Sequence, residues 1–370
     1  MIDILLPDLR GGGAERVCLN LANEFASRGL QVRMVLMRAE GELLPLLDPR
    51  VKVADLGAAR GRNLLWPLVR HLRQARPAAL LANMWPLTFL AVLARKLARV
   101  DCRVVAVEHI AWSMTPLVKR QRTALALKTS MKWMLPRVDA LLAVSRGAAD
   151  DLERFAGLPA DSVGTQFNPV VAATPPAVVA VPSLEIGWLH GDQRRVIAVG
   201  SFKAQKNFPT LLRAFALLRE QVDARLLILG EGKERPTLEA LVHELGMEHA
   251  VELPGFVADP APYYARADLF VLSSDHEGFG NVIVEALDHG VPVVSTDCPS
   301  GPREILQDGK YGTLVPVGDV DALAQAMLAA LHAPRDPAAL KAHARDFAVD
   351  TIADQYLDHL LPGWRERTSA

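Results

Sequence analysis

Three cysteines, Cys18, Cys102 and Cys298, are all that 370 residues hold. They are far apart and odd in number, which excludes a disulfide framework and any cysteine-based zinc spacing and fits a reducing compartment. Long hydrophobic runs are missing too. No stretch approaches the roughly 20 uncharged apolar residues that span a bilayer. The opening run from Met1 to Pro7 is short and contains Asp3, so it reads as a first strand and not as a signal peptide. Common catalytic signatures are also lacking. His276-Glu277 is not continued into H-E-x-x-H, and neither G-x-S-x-G nor a P-loop occurs. Gly11-Gly12-Gly13 is not G-x-G-x-x-G, and no acid marks the end of the strand-like run 31–36, so a nicotinamide-binding dehydrogenase loses its main support.

Acid is the next thing missing, but only locally. Residues 56–100 carry eight Lys and Arg without one Asp or Glu, and residues 109–138 carry Lys119, Arg120, Arg122, Lys128, Lys132 and Arg137 on the same terms. The formal net charge of −1 hides this, because residues 1–170 hold 24 basic against 15 acidic side chains and the remainder 17 against 27. Such a split points to an anionic partner of the first half. The cations from Lys119 to Arg137 alternate with Leu125, Leu127, Met131, Trp133 and Met134. That pattern suits an amphipathic helix on an anionic membrane surface as well as an ordinary helix with a solvated basic face. Nucleic acid is not expected, because no RNP-like or helix–turn–helix signature is present.

What is present is alternation. Apolar strand-like runs at Ile2–Leu6, Gln31–Leu36, Val104–Val107, Ala140–Val144, Val196–Val199, Leu226–Leu229, Leu269–Leu272 and Val291–Ser295 are separated by helical patterns. Strand–helix alternation predicts parallel sheets covered on both faces. The length favours two domains. The spacing predicts a first Rossmann-like domain over 1–172, a linker over 173–192 marked by Pro175, Pro176 and Pro182, a second such domain over 193–345, and a last helical segment over 346–370. The fold class expected is α/β, with two doubly wound domains facing an interdomain cleft.

In doubly wound sheets ligands bind beyond the carboxyl ends of the strands, and the suggestive residues fall there. Gly11-Gly12-Gly13 follows the first strand, His109 follows Val104–Val107, and Ser201 to Asn207, including Lys206, follows Val196–Val199. Gly230-Glu231-Gly232 follows Leu226–Leu229, and Glu277 to Glu285 follows Leu269–Leu272. A strand–loop–helix junction offers unpaired N–H groups and a positive dipole end, both of which attract phosphate. Lys206 has the position to neutralise a pyrophosphate, and His109 to orient a hydroxyl. A solvated loop lysine and a satisfied buried histidine are the plainer readings of the same residues.

Together these segments resemble the retaining glycosyltransferases of family 4, which have the GT-B fold. The resemblance rests on Gly12-Gly13-Ala14-Glu15-Arg16, Asn168-Pro169-Val170, Val199-Gly200 with Gln205-Lys206-Asn207, Leu229-Gly230-Glu231-Gly232, the run Ala267 to Ser274, Glu277 to Glu285, and Gly290 to Asp297. It implies transfer of a hexose or N-acetylhexosamine from a nucleoside-diphosphate sugar, a UDP-sugar foremost, to a glycan or lipid-linked saccharide in cell-surface polysaccharide, lipopolysaccharide or glycolipid synthesis. It further implies no cofactor, no bound metal, and a cytoplasmic enzyme peripheral to the inner face of the plasma membrane. By residue, it implies that Glu285 binds the ribose and Glu277 the donor sugar. Gly278, Phe279, Gly280 and Asn281 would hold sugar or phosphate, Lys206 the diphosphate with Gly12 and Gly13 closing over it, and His109 the acceptor. Residues near Glu231 and Phe256-Val257 would flank the base. The family's arginine after the Val-Gly pair is here Ser201, so either Lys203 or another cation substitutes or the diphosphate meets one charge fewer. A sugar-nucleotide epimerase of the same fold and a non-catalytic sugar-nucleotide-binding protein are the alternatives.

Overall fold

The computed structural model describes residues 1–119, 121–172 and 187–368; Arg120 and the Pro175, Pro176 and Pro182 stretch lie outside them. The chain forms two compact units, one from the residues before 174 together with those from Phe347 onward, the other from the residues between.

The first unit is built on a seven-stranded parallel sheet. Its strands are β1 (Ile2–Leu6), β2 (Val32–Leu36), β3 (Lys52–Asp55), β4 (Ala79–Asn83), β5 (Arg103–Glu108), β6 (Ala140–Ala143) and β7 (Gly164–Thr165), in the order β3-β2-β1-β4-β5-β6-β7. The helices between them are α1 (Gly13–Ser27), α2 (Leu65–Ala75), α3 (Leu87–Ala98), α4 (Gln121–Met134) and α5 (Arg146–Ala156). β1, β4 and β5 are buried along nearly their whole length, as expected of central strands covered on both faces. The edge strand β3 is instead largely exposed, with only Ala54 half-buried.

The second unit repeats the plan. Strands β8 (Arg194–Val199), β9 (Ala224–Leu229), β10 (Val251–Gly255), β11 (Leu269–Leu272), β12 (Val293–Thr296) and β13 (Thr313–Val315) pair in parallel in the order β10-β9-β8-β11-β12-β13. Helices α6 (Phe208–Arg219), α7 (Arg235–Glu244), α8 (Ala261–Tyr264), α9 (Asn281–Asp288), α10 (Pro302–Ile305), α11 (Val320–His332) and α12 (Pro337–Ala344) accompany them. The amphipathic spacing of α6 buries Phe208, Leu211, Leu212, Phe215 and Leu218 in the core with Val196, Leu226 and Ile228. Each such side chain contributes about 1.5–3 kcal/mol of burial.

The chain then returns to the first unit with α13 (Val349–Leu360) and α14 (Trp364–Thr368). Ile352, Ala353, Tyr356, Leu357 and Leu360 form one buried stripe on α13, the 3.6-residue pattern of a helix laid on a core. A parallel bridge between Val171 and Ala348 ties the start of this return to the end of the first pass.

In each sheet the winding reverses once, between β1 and β4 in the first and between β8 and β11 in the second. Loops leaving the two strands at such a reversal splay to opposite faces and leave a ligand crevice between them. The loops after β8 and β11 are those that carry Lys206 and Glu277.

Candidate functional site

In the second unit, β8 and β11 are hydrogen-bonded neighbours, with Val196 opposite Leu269 and Ile197 opposite Phe270. Their following loops therefore leave the sheet side by side, although 71 residues separate Lys206 from Glu277. The Lys206 ammonium donates to Glu277 Oε1 over 2.6 Å. Ser274 Oγ donates to the same oxygen, also over 2.6 Å, and the Glu277 N–H donates to the Pro299 carbonyl over 3.2 Å. Only 7% of Glu277 is accessible. A carboxylate so far from water needs this company, because an unpaired buried charge is costly.

A seam of hydrogen bonds holds the two loops in register. Gln205 Nε2 donates to the His276 carbonyl over 2.7 Å, and the Asp275 N–H donates back to the Gln205 carbonyl over 2.8 Å. Asn207 Nδ2 donates to Asp275 Oδ1 over 2.7 Å, and Ser273 Oγ to the Lys206 carbonyl over 2.8 Å. Asn207 sits in the left-handed region at φ 45°, which turns the chain from the Lys206 loop into α6. Asparagine tolerates that conformation better than most residues. Thr296 Oγ1 on β12 donates to the Ser274 carbonyl over 2.6 Å. The pair thus stands on three adjacent strands.

Gly278, Phe279 and Gly280 lead from Glu277 into α9, which starts at Asn281. Gly280 has φ 107°, a region that L side chains rarely enter. It aims the positive end of the α9 dipole at the loop that holds Glu277. Glu285 lies one turn further on, half-buried, and accepts a hydrogen bond from the Tyr264 hydroxyl over 3.0 Å. The remaining second-unit candidates are more exposed. Glu231 is a bidentate partner of Arg235 at 2.9 and 2.7 Å, which lowers its pKa below the usual carboxylate range. Phe256 is 48% exposed in the loop after β10, beside half-buried Val257. Exposed Lys203 follows Ser201 closely in the loop, the Lys206 stem packs against Gly200, and Arg235 lies 5.2 Å from the Phe202 ring but is bound to Glu231 and Glu239.

In the first unit, Gly12 caps α1 and Gly13 is its first residue. This turn already holds carboxylates. Gly11 N–H donates to Glu42 Oε1 over 3.0 Å, and the Glu15 carboxylate folds so closely over Gly12 that a side chain there would overlap it. Backbone N–H bonds, its own and that of Gly11, lower the Glu42 pKa. One N–H of the turn, that of Gly11, thus already faces an anion.

His109 follows β5. Burial drops its pKa to about 4, so the ring is neutral at physiological pH. Nε2 lies 3.0 Å from Asn83 Oδ1, and Asn83 Nδ2 faces the Leu5 carbonyl at 3.4 Å. With the amide so oriented Nε2 carries the proton, and Nδ1 is the ring's acceptor. Beside it Glu108 is fully buried, and burial raises its pKa to about 7 despite hydrogen bonds from the Trp85 N–H, Trp112 Nε1 and Thr88 Oγ1 at 3.2–3.3 Å. Arg122, Lys128 and Lys132 lie on α4, while Lys119 ends the short 3-10 turn before it.

The structure brings Lys206, Glu277 and the start of α9 together. It adds roles for Ser274 and Gln205, which lie in segments the sequence marks without giving either residue a role, and for Tyr264 and Asn83, which no local sequence signal marks because their partners lie 21 and 26 residues away. Asp319-Val320-Asp321 has the spacing of a metal-binding Asp-x-Asp pair, but Asp319 is the N-cap of α11, accepting the Ala322 N–H at 2.9 Å. No cluster of three or more potential metal ligands occurs among the described residues.

Two parallel doubly wound sheets, with a lysine–glutamate pair at the reversal of the second, define a two-domain α/β protein of the GT-B class. The family model for Glycosyltransferase Family 4 matches residues 11–172, and that for Glycosyl transferases group 1 matches residues 193–333. A GDP-mannose-dependent alpha-(1-6)-phosphatidylinositol monomannoside mannosyltransferase of Mycolicibacterium smegmatis is 32% identical over 77% of this chain and 76% of its own. The chain belongs to the family 4 glycosyltransferases. The lipopolysaccharide core biosynthesis glycosyltransferase LpsE of Rhizobium meliloti is 37% identical over 50% of this chain, and the match spans only about half of that relative, 54%. Among solved structures, Anabaena HepE in complex with UDP and glucose matches with a TM-score of 0.77 at 20% identity, over 100% of this chain and 99% of that one.

Proposed function

We propose that the protein is a retaining glycosyltransferase that moves a hexose or N-acetylhexosamine from a nucleoside-diphosphate sugar, a UDP-sugar foremost, to a glycan or lipid-linked saccharide in cell-surface polysaccharide, lipopolysaccharide or glycolipid synthesis. The observation that carries this reading is the ion pair of half-buried Lys206 with buried Glu277 beside the N-terminus of α9. Breaking the sugar–phosphate bond puts negative charge on the departing diphosphate, and fixed dipoles and a cation stabilise that charge as it forms. An ammonium has three N–H donors. One goes to Glu277, and the others turn to phosphate oxygen. Glu277 in turn accepts from donor-sugar hydroxyls, Glu285 from the ribose, and neutral His109 receives the acceptor hydroxyl at Nδ1. The departing phosphate oxygen takes the acceptor proton, so no second acid is required, and the configuration at the anomeric carbon is kept. Because Lys206 and backbone N–H groups supply the positive field, the reading includes no metal and no cofactor. LpsE and the mannosyltransferase support the substrate class by their names.

The test is calorimetric titration with UDP, GDP and ADP, in buffer with and without EDTA. One nucleotide is expected to bind tightly in both, and Glu285→Ala to weaken it by about 10- to 100-fold, the worth of one or two hydrogen bonds to a charged group. Unchanged affinity in that variant removes the ribose assignment, and loss of turnover in EDTA that a divalent ion restores removes the metal-free one.

The same reading places the enzyme on the cytoplasmic face of an anionic membrane. No helix among the described residues is long and apolar enough to cross one. On α4, however, Leu125 is 66% and Trp133 63% exposed, flanked by Arg122, Lys128 and Lys132. Trp66 on α2 is 65% exposed beside Arg70 and Arg73. Amphipathic tryptophans and cations suit the headgroup layer. Sedimentation with phosphatidylglycerol vesicles at low salt should retain the protein, and Leu125→Ser with Trp133→Ser should release most of it; vesicles that never retain the wild type would end this part of the proposal.

A further inference from the structure

Tyr264 ends the four-residue helix α8 and is buried to the last atoms of its ring. The Phe270 ring of β11 lies 5.9 Å from it at a tilt of 57°, and the His289 ring lies 5.6 Å away and nearly parallel, at 28°. His289 is itself fixed, with Nδ1 2.9 Å from the Glu285 carbonyl oxygen. Held from both sides, the phenol donates to Glu285 Oε2 over 3.0 Å and lies 3.5 Å from the Val282 carbonyl. Burial, together with the Glu285 charge, pushes the Tyr264 pKa well above its ordinary value, so the hydroxyl is a donor throughout the working pH range. A carboxylate on an exposed helix ordinarily samples several rotamers. This one is anchored by a rigid aromatic from another element.

We infer that Tyr264 is a positioning residue that orients the Glu285 carboxylate for the vicinal diol of a ribose, and so makes the site select ribonucleotides over deoxyribonucleotides. This rests on the reading of Glu285 as the ribose ligand. With Oε2 tied to the phenol, the carboxylate plane is fixed before the nucleotide arrives. A carboxylate offers about four lone-pair sites, of which the phenol takes one. The one phenol proton goes to the nearer, charged Glu285 oxygen rather than to the Val282 carbonyl, and Tyr264→Phe would keep the packing on Phe270 and His289.

The experiment is titration of UDP, GDP and ADP, each beside its 2′-deoxy counterpart, into the wild type, Tyr264→Phe, Glu285→Gln and the double variant. The wild type is expected to prefer the ribonucleotide. Tyr264→Phe should bind it about tenfold more weakly, the scale of one hydrogen bond to a charged group, while the deoxy form changes little and the preference narrows. Donor KM should rise in step with kcat nearly unchanged. In the Glu285→Gln background Tyr264→Phe should add almost nothing, the signature of coupled groups. Equal weakening of ribo and deoxy forms, additive losses in the double variant, or a wild type indifferent to the 2′-hydroxyl would overturn the inference while leaving the donor site standing. A wild type that binds no nucleoside diphosphate would overturn both.

Discussion

Lys206→Met is expected to lower turnover by about 100- to 1,000-fold, the range seen when one group stabilising a developing anion is removed. Two effects combine in this variant and have to be separated. Methionine fills much of the space of the lysine stem, so packing is largely kept. The loss of the ammonium, however, leaves Glu277 with the Ser274 hydroxyl and no counter-charge. Stranding a buried carboxylate costs about 3–5 kcal/mol, and in a domain of this size each kcal/mol lowers the melting temperature by about 2–4 °C. A fall of roughly 6–20 °C is expected from that term alone. The double variant Lys206→Met with Glu277→Gln removes both charges and should recover most of the melting temperature. On the proposed mechanism it should not recover turnover, because the cation assigned to the departing phosphate is still missing. Recovery of turnover together with stability would show that Lys206 serves only as the structural partner of Glu277 and would remove it from the mechanism. Measurement of kcat at saturating donor for the two variants, beside their melting curves, decides between these outcomes.

That coupling is not legible in the sequence. Lys206 and Glu277 each stand out there because each lies in a loop that leaves a strongly apolar strand, Lys206 from its position for a diphosphate and Glu277 by the family resemblance for a sugar. Their pairing follows from β8 lying next to β11 and not next to β10, and strand order is a long-range property. Tyr264 shows the same limit. In the sequence it is one aromatic in Pro262-Tyr263-Tyr264-Ala265, and only the packing of α8 against α9 gives its hydroxyl a partner. His109 is legible as a loop residue after β5, but its neutral state depends on burial, and its tautomer on Asn83 at the end of β4.

The alternation of strands and helices is legible because both periods are strong in this chain, and both sheets are parallel as that alternation requires. Three of the five strands that the pattern does not reveal have evident local reasons. β4 is an Ala-Leu-Leu-Ala-Asn run, short and poor in the β-branched and aromatic residues that mark strands. β10 contains Pro254, which argues against a central strand and is tolerated here because β10 lies on the sheet edge. β3 pairs only with β2 and has a polar, exposed sequence. Helix α4 illustrates the converse. Its basic and apolar alternation is evident in the sequence, yet only the structure shows that Ala124 and Met131 face inward while Leu125 and Trp133 face outward.

Gly301→Ala should damage the site as much as losing a side chain that touches the donor, although Gly301 precedes α10 and bears no functional group. Its φ is 92°, and a Cβ at this position would overlap the Phe279 carbonyl oxygen and lie 2.5 Å from its carbon. Two separate penalties result. The conformation alone, φ 92° with ψ −64°, lies outside even the left-handed helical region and strains alanine by about 1–3 kcal/mol. The contact is backbone against backbone, so no rotamer change relieves it, and the Phe279 peptide has to move by roughly 1–2 Å to reach ordinary contact. Phe279 and Gly280 start the turn into α9, and a misplacement of about 1 Å in positioning groups costs on the order of 100-fold in rate. Gly246 supplies the control. Its φ is 64°, and a Cβ there would have nothing within 4 Å, so Gly246→Ala incurs a milder positive-φ strain and no collision. Both variants should lose stability, Gly301→Ala by about 2–4 kcal/mol and Gly246→Ala by about 1 kcal/mol. Only Gly301→Ala should also weaken nucleotide binding and turnover at temperatures where both remain folded. Equal donor affinity in the two would mean that the Phe279 loop adjusts freely, and that its backbone N–H groups do not need their present positions to hold the donor.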